Sequence, residues 1–154
     1  MKNSVDGLPD AILFDLDNTL CNFIDAKYAA CRAVTEYIGT GDEQELFEHF
    51  LRPVYSFEDT RHIADYMMAK GVYTPEDADH AARLFEDIKI AHICPYPGVH
   101  DTLNHLRALG IKMAIVTDAD QTQAERRLKK CEIASYFPVL VTPDRSGKRK
   151  PDHT

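Results

Sequence analysis

Two carboxylates two residues apart, Asp15 and Asp17, follow directly on four apolar residues, Ala11, Ile12, Leu13 and Phe14. An Asp carboxylate can attack phosphorus and carry the phosphoryl group as an aspartyl-phosphate. A second acid nearby can protonate the leaving oxygen and later activate water. A cation must offset the charge of the incoming phosphate. Mg²⁺ suits that task, being a hard ion bound by one or two carboxylates plus phosphate oxygen and water. Asp and Asn are also turn residues, but this apolar run ends in two acids rather than in Gly or Pro. Acids at the end of a buried strand are costly unless they bind something. In open α/β sheets the carboxyl end of a strand is where ligands sit.

The elements that must position these acids follow from periodicity. Residues 11–14 read as a short strand buried on both faces, as in a parallel sheet. Residues 1–10 read as a leader punctuated by Gly7 and Pro9. From Phe23 to Ile93 the pattern is helical. Ile24, Tyr28, Cys31, Thr35 and Ile38 recur at steps of three or four, and Gly39 stands where a left-handed C-cap belongs. Leu46, Phe47, Phe50 and Leu51 suggest a second helix ended by Pro53. Phe57 to Lys70 reads as a third. Thr74-Pro75-Glu76-Asp77 is a helix start, with a hydroxyl cap, Pro at the first position and acids in the first turn. Four helices with short connections make a small bundle.

Pro95, Pro97 and Gly98 mark a boundary. A helix follows with Val99, Leu103, Leu106 and Leu109 on one face. Residues 111–116 form a second predicted strand, ending at Thr117-Asp118. A helix runs to about Cys131, residues 138–141 form a third strand, and a basic tail carries Lys148, Arg149 and Lys150. This order implies right-handed parallel crossovers and an α/β fold. The predicted organisation is a sheet domain of residues 1–22 and 94–154, interrupted by a helical cap of residues 23–93.

The chain has 154 residues, about one domain by length, with 44% hydrophobic and 28% charged residues. Its formal net charge of −7 argues against broad binding to nucleic acid or anionic membrane. No apolar run approaches a membrane span, and the first ten residues carry no signal-peptide core. Cys21, Cys31, Cys94 and Cys131 lie far apart without a CxxC pair. They read as free thiols in buried packing, which predicts a cytoplasmic location.

Three features now stand in order. Asp15 and Asp17 end the first strand, Thr117 ends the second, and Lys150-Pro151 follows the third. A hydroxyl and a backbone N–H at a strand-to-helix turn can hold phosphate oxygens, and a Lys can offset charge on nucleophile and phosphate. The set resembles the haloacid dehalogenase superfamily of aspartate-nucleophile phosphohydrolases. Its first motif matches Asp15-Leu16-Asp17-Asn18-Thr19-Leu20, its second matches Thr117, and its third matches Lys150-Pro151. The inserted helical cap and the Pro97-Gly98 entry match as well.

The resemblance implies a doubly wound, parallel, Rossmann-like sheet with a small helical-bundle cap. It implies Asp15 as nucleophile and Mg²⁺ ligand, and Asp17 as general acid/base that lends its backbone carbonyl to the metal. Thr117 and the Asp118 N–H would hold phosphate, and Lys150 would support Asp15. The substrate would be a small phosphorylated metabolite, chosen by cap residues for which Tyr28, Arg52, Tyr55 and Arg61 are candidates. Asp17 favours phosphate chemistry over dehalogenation. The family's fourth motif, acids on a further strand that complete the Mg²⁺ site, is not matched before Thr154. The reading therefore expects a chain truncated before that motif, as a fragment or naturally, with impaired hydrolysis. The alternative is an inactive remnant serving as a binding module. With no fourth-motif strand beside it, the 11–14 strand is predicted to be an open, uncharged edge that drives homo-oligomer formation.

Overall fold

The structure, a computed structural model, describes residues 7–150. Most of the predicted leader, and Pro151 of the third motif, lie outside them. The chain divides into two compact units, residues 7–22 with 94–150, and residues 23–93.

The first unit carries strands β1 (Ala11–Phe14), β2 (Lys112–Val116) and β3 (Val139–Val141). They form one parallel sheet in the order β1-β2-β3, so β1 is an edge strand among the described residues. The unit is α/β and Rossmann-like. Its helices α5 (Val99–Ala108) and α6 (Gln121–Lys130) alternate with the strands, and a short α7 (Pro143–Ser146) follows β3. Gly98 opens α5 with φ 84°, a left-handed conformation that suits glycine. Met113 and Ile115 of β2 are buried, together with Leu16, Leu103, Ala124, Leu128 and Ile133.

The other face of the sheet corrects the expectation of a strand covered on both sides. Leu13, Ala114 and Val139 stand in register across the three strands and therefore share a face. Leu13 is 70% exposed and Val139 50%. They border an apolar groove of about 460 Å³ together with Ala11, Arg107 and Tyr136. An apolar run states that a strand can be buried. Whether it is buried depends on what packs over it, and among the described residues this face stays open.

The second unit holds α1 (Phe23–Ile38), α2 (Glu43–Phe50), α3 (Arg61–Ala69) and α4 (Pro75–His92). Gly39 has φ 71° and its N–H closes on the Thr35 carbonyl at 3.0 Å, ending α1 as the sequence implies. Thr74 caps α4, its Oγ1 accepting from the Asp77 N–H at 3.1 Å, with Pro75 in the first turn. The third helix starts four residues later than its apolar pattern. Asp59 Oδ1 accepts from the Arg61 N–H at 2.9 Å and fixes a turn where the pattern suggests helix. Val34, Leu46, Phe50, Met67 and Phe85 make a closed core, with Phe50 and Phe85 stacked at 5.0 Å. Cys94 departs from the buried thiols predicted from the sequence and is exposed, while Cys21, Cys31 and Cys131 are buried.

Candidate active site

β1 ends at Phe14 and delivers Asp15 at the carboxyl edge of the sheet. Leu16 is wholly buried, and its carbonyl accepts from the N–H groups of Thr19, Leu20 and Cys21 at 3.4, 2.9 and 3.3 Å. That turn needs Asn18 at φ 58°, which Asn tolerates better than most residues. With Leu16 as its anchor, the turn leaves Asp15 and Asp17 on the outside. Their side chains are 42% and 19% exposed.

Each carboxylate has its own cation. Lys150 Nζ donates to Asp15 Oδ1 at 2.6 Å, and the Thr19 hydroxyl donates to Asp15 Oδ2 at 3.3 Å. Arg127 Nη1 donates to Asp17 Oδ2 at 2.6 Å, and the Cys21 thiol approaches Asp17 Oδ1 at 3.8 Å. Cys21 also meets Cys131. The hydrogen bond between them, and then burial, push the Cys21 thiol far up, while the same hydrogen bond holds Cys131 below its ordinary value against its own burial.

Thr117 follows β2 and is 4% exposed. Its N–H donates to the Val141 carbonyl at 3.0 Å, and its Oγ1 accepts from the Ala119 N–H at 3.2 Å. Among the described residues its hydroxyl hydrogen is left to donate. Asp118 does more than its place in the motif suggests. Its Oδ1 accepts from the Lys150 N–H at 2.8 Å and its carbonyl from Arg149 Nη1 at 3.0 Å. The carboxylate thereby anchors the segment that brings Lys150 to Asp15. The structure thus joins Asp15, Lys150 and Asp118 by direct contacts, with Thr117 adjoining and Asp17 on a separate ion pair.

The haloacid dehalogenase-like hydrolase family model matches residues 12–154. The chain belongs to that family. Among its relatives, the glyceraldehyde 3-phosphate phosphatase of Methanopyrus kandleri is 31% identical over 152 residues. That match takes in 92% of this chain and 65% of the relative. The glyceraldehyde 3-phosphate phosphatase of Methanocaldococcus jannaschii is 29% identical, over 91% of this chain and 64% of its own. The chain therefore spans less than two thirds of the length of these relatives. The crystal structure of a haloacid dehalogenase family hydrolase from Deinococcus radiodurans, with bound phosphate and sodium, superposes with a TM-score of 0.67. At 21% identity, over 91% of this chain and 60% of that one, the likeness concerns the fold.

For a haloacid dehalogenase-like hydrolase the metal donors are few. Among the described residues no group of three or more His, Cys, Asp or Glu side chains is arranged to hold an ion. Mg²⁺ asks for near-octahedral oxygen ligation, and the Asp15 carboxylate and Asp17 carbonyl do not by themselves make such a site. The four predicted substrate contacts are occupied within the helical unit. Tyr28 stacks on Phe47 and donates to Gln44, Arg52 pairs with Asp65, and Arg61 pairs with Asp59 over the Tyr55 ring.

Two side chains escaped the sequence reading. The anchoring carboxylate of Asp118 leaves no local signature. Arg127 does leave one: with Ala124, Leu128 and Cys131 it occupies the i, i+3, i+4, i+7 stripe of α6. A charged residue on a buried stripe asks for a buried partner.

Proposed function

We propose that this chain carries the catalytic core of a phosphohydrolase acting on a small phosphorylated metabolite, with Asp15 as nucleophile. Asp15 attacks phosphorus, the ester P–O bond breaks, and Asp17 gives its proton to the leaving oxygen. Water then attacks the aspartyl-phosphate, Asp17 takes the water's proton, and phosphate leaves as the Asp15–phosphorus bond breaks. The Thr117 hydroxyl and the Asp118 N–H hold the phosphoryl oxygens, and Lys150 offsets the charge gathered around Asp15. The carrying observation is the 2.6 Å contact of Lys150 with Asp15, made across 135 positions of sequence. The curated relatives, named for a small phosphorylated metabolite, support the substrate class.

Mg²⁺ is the cation this chemistry calls for. With one carboxylate and one carbonyl to hold it, we expect weak affinity and slow turnover from the described residues. That scarcity favours a second reading, a phosphate-binding module without turnover. Asp17 argues against dehalogenation. The four thiols fit a cytoplasmic setting, and the open edge and apolar face of the sheet favour self-association.

The reading is tested by Asp15→Asn. The amide keeps the shape and loses the nucleophile, so hydrolysis of an aryl phosphate should fall on the order of 10³-fold or more with unchanged thermal unfolding. Comparable turnover by the Asn variant would overturn the assignment.

A further inference from the structure

Arg127 is wholly buried on α6, 110 positions from Asp17, and yet its guanidinium meets the Asp17 carboxylate at 2.6 Å. Stability alone does not account for it. Withdrawing a guanidinium and a carboxylate from water costs several kcal/mol per ion, and an apolar residue of like volume serves a helix stripe as well or better. The two acids of the turn are also treated differently. Asp15 is bound by Lys150, itself 41% exposed and carried on the segment after β3. Asp17 is bound by a side chain fixed inside the core on a regular helix.

A group that transfers protons must be held within hydrogen-bond reach of the atom it serves. A displacement of 1 Å can cost about 100-fold. Asp17 sits in a turn stabilised by a left-handed Asn18, and its own side chain has two free torsions to fix. A guanidinium donates along fixed directions, so the contact of Arg127 Nη1 holds Asp17 Oδ2 in one place. Pinning Oδ2 fixes where Oδ1 points. The Cys21 thiol, a weak donor at 3.8 Å, is the softer contact on that oxygen.

We propose that Arg127 is a positioning residue for proton transfer: it holds Asp17 Oδ2 as an acceptor, so that the proton carried on Oδ1 passes from there to the leaving oxygen. The inference rests on the reading of Asp17 as general acid/base and goes beyond it by naming what orients that acid. It separates this chain's two cations by role, Lys150 serving the nucleophile and Arg127 the acid.

The test uses leaving groups. A nitrophenolate departs without a proton, whereas an alkoxide does not. Single-turnover release of the alcohol is measured for the intact chain, Arg127→Lys and Arg127→Met, with 4-nitrophenyl phosphate and with glycerol 1-phosphate. First-turnover release isolates phosphoryl transfer from hydrolysis of the aspartyl-phosphate. Arg127→Met should slow release from glycerol 1-phosphate about 100-fold and from 4-nitrophenyl phosphate less than about fivefold. Arg127→Lys, which keeps a charged donor, should recover a good part of the alkyl rate. Thermal unfolding shows whether each variant folds. If Arg127→Met does not, Arg127→Gln is measured in its place and carries the same prediction. An equal loss on both esters, or none on either, would overturn the positioning role while leaving the phosphatase reading in place. A parent chain inert toward both esters would overturn the phosphatase reading, and the positioning role with it.

Discussion

Phe85 in α4 and Leu13 in β1 are both large apolar residues in regular elements, yet Phe85 is wholly buried and Leu13 is 70% exposed. The helical unit turns four apolar stripes on one another and shields Leu46, Phe50, Ile63 and Met67 to 1% exposure or less. The sheet unit buries one face and leaves the row Leu13, Ala114, Val139 along an open groove. The contrast lies in what each element needs. A helix has one stripe to cover, and near neighbours in sequence can cover it. A parallel strand has two faces and two edges, each of which needs a partner brought from elsewhere.

The closed core should be the costlier one to damage. Phe85→Ala removes a ring that stacks on Phe50, and substitutions of this kind cost about 3–5 kcal/mol when the cavity does not collapse. Urea unfolding followed by far-UV circular dichroism should show that loss chiefly in the helical signal. A cost below about 1 kcal/mol would mean that the helical core is no better closed than the sheet.

The same closure traps a charge. Lys27 on α1 is wholly buried with Nζ at 3.4 and 3.9 Å from the Phe57 and Phe50 ring centroids, and it donates to the Phe57 carbonyl. Burial, and then the charge of Lys89, lower its pKa from 10.5 to about 7. Glu58, Glu86 and the Cys31 thiol, itself pushed up to about 12 by burial, also face it. A folded value below the unfolded one means that the unfolded chain binds the extra proton between these limits. Stability contributed here is full above about pH 10.5 and falls as pH drops toward 7, by up to about 1.4 kcal/mol per pH unit. Lys27→Met should flatten that slope. At pH 7 it should raise stability by about 1–2 kcal/mol, the relief of burial being partly offset by lost cation–π contacts. An unchanged slope would show that water reaches Lys27.

The parts legible in the sequence were those that local chemistry dictates. Gly39, Thr74 and Pro75 mark helix ends because caps act within one turn. Asp15 and Asp17 stand out because acids rarely end an apolar strand. Position in three dimensions was less legible. Spacing places Arg127 on the buried stripe of α6 but does not say that Asp17 waits there, since that pairing depends on β1 and α6 meeting. The start of α3 was misplaced because the Asp59 carboxylate competes locally with the helix, a contest that apolar periodicity does not register. The exposure of Leu13 follows from the unmatched fourth motif and not from its hydropathy, which records what a residue tolerates while its neighbours decide what it gets.

The smallest expected effect on stability is at Leu13, and it is the sharpest test of the open face. Its side chain is 70% exposed, so replacing it should change the unfolding free energy by less than about 0.5 kcal/mol. Association should respond more strongly. β1 is paired on one side only among the described residues, and unpaired N–H and C=O groups along an uncharged edge invite another strand. The apolar groove beside that edge adds area that association would withdraw from water. Leu13→Lys places a charge on both features at once. Multi-angle light scattering should give a mass above the 17.4 kDa monomer for the parent chain, and a shift toward monomer for the variant. A parent chain that stays monodisperse at 17.4 kDa at high concentration would show that edge and groove are covered from within, and the contrast between the two units would then disappear.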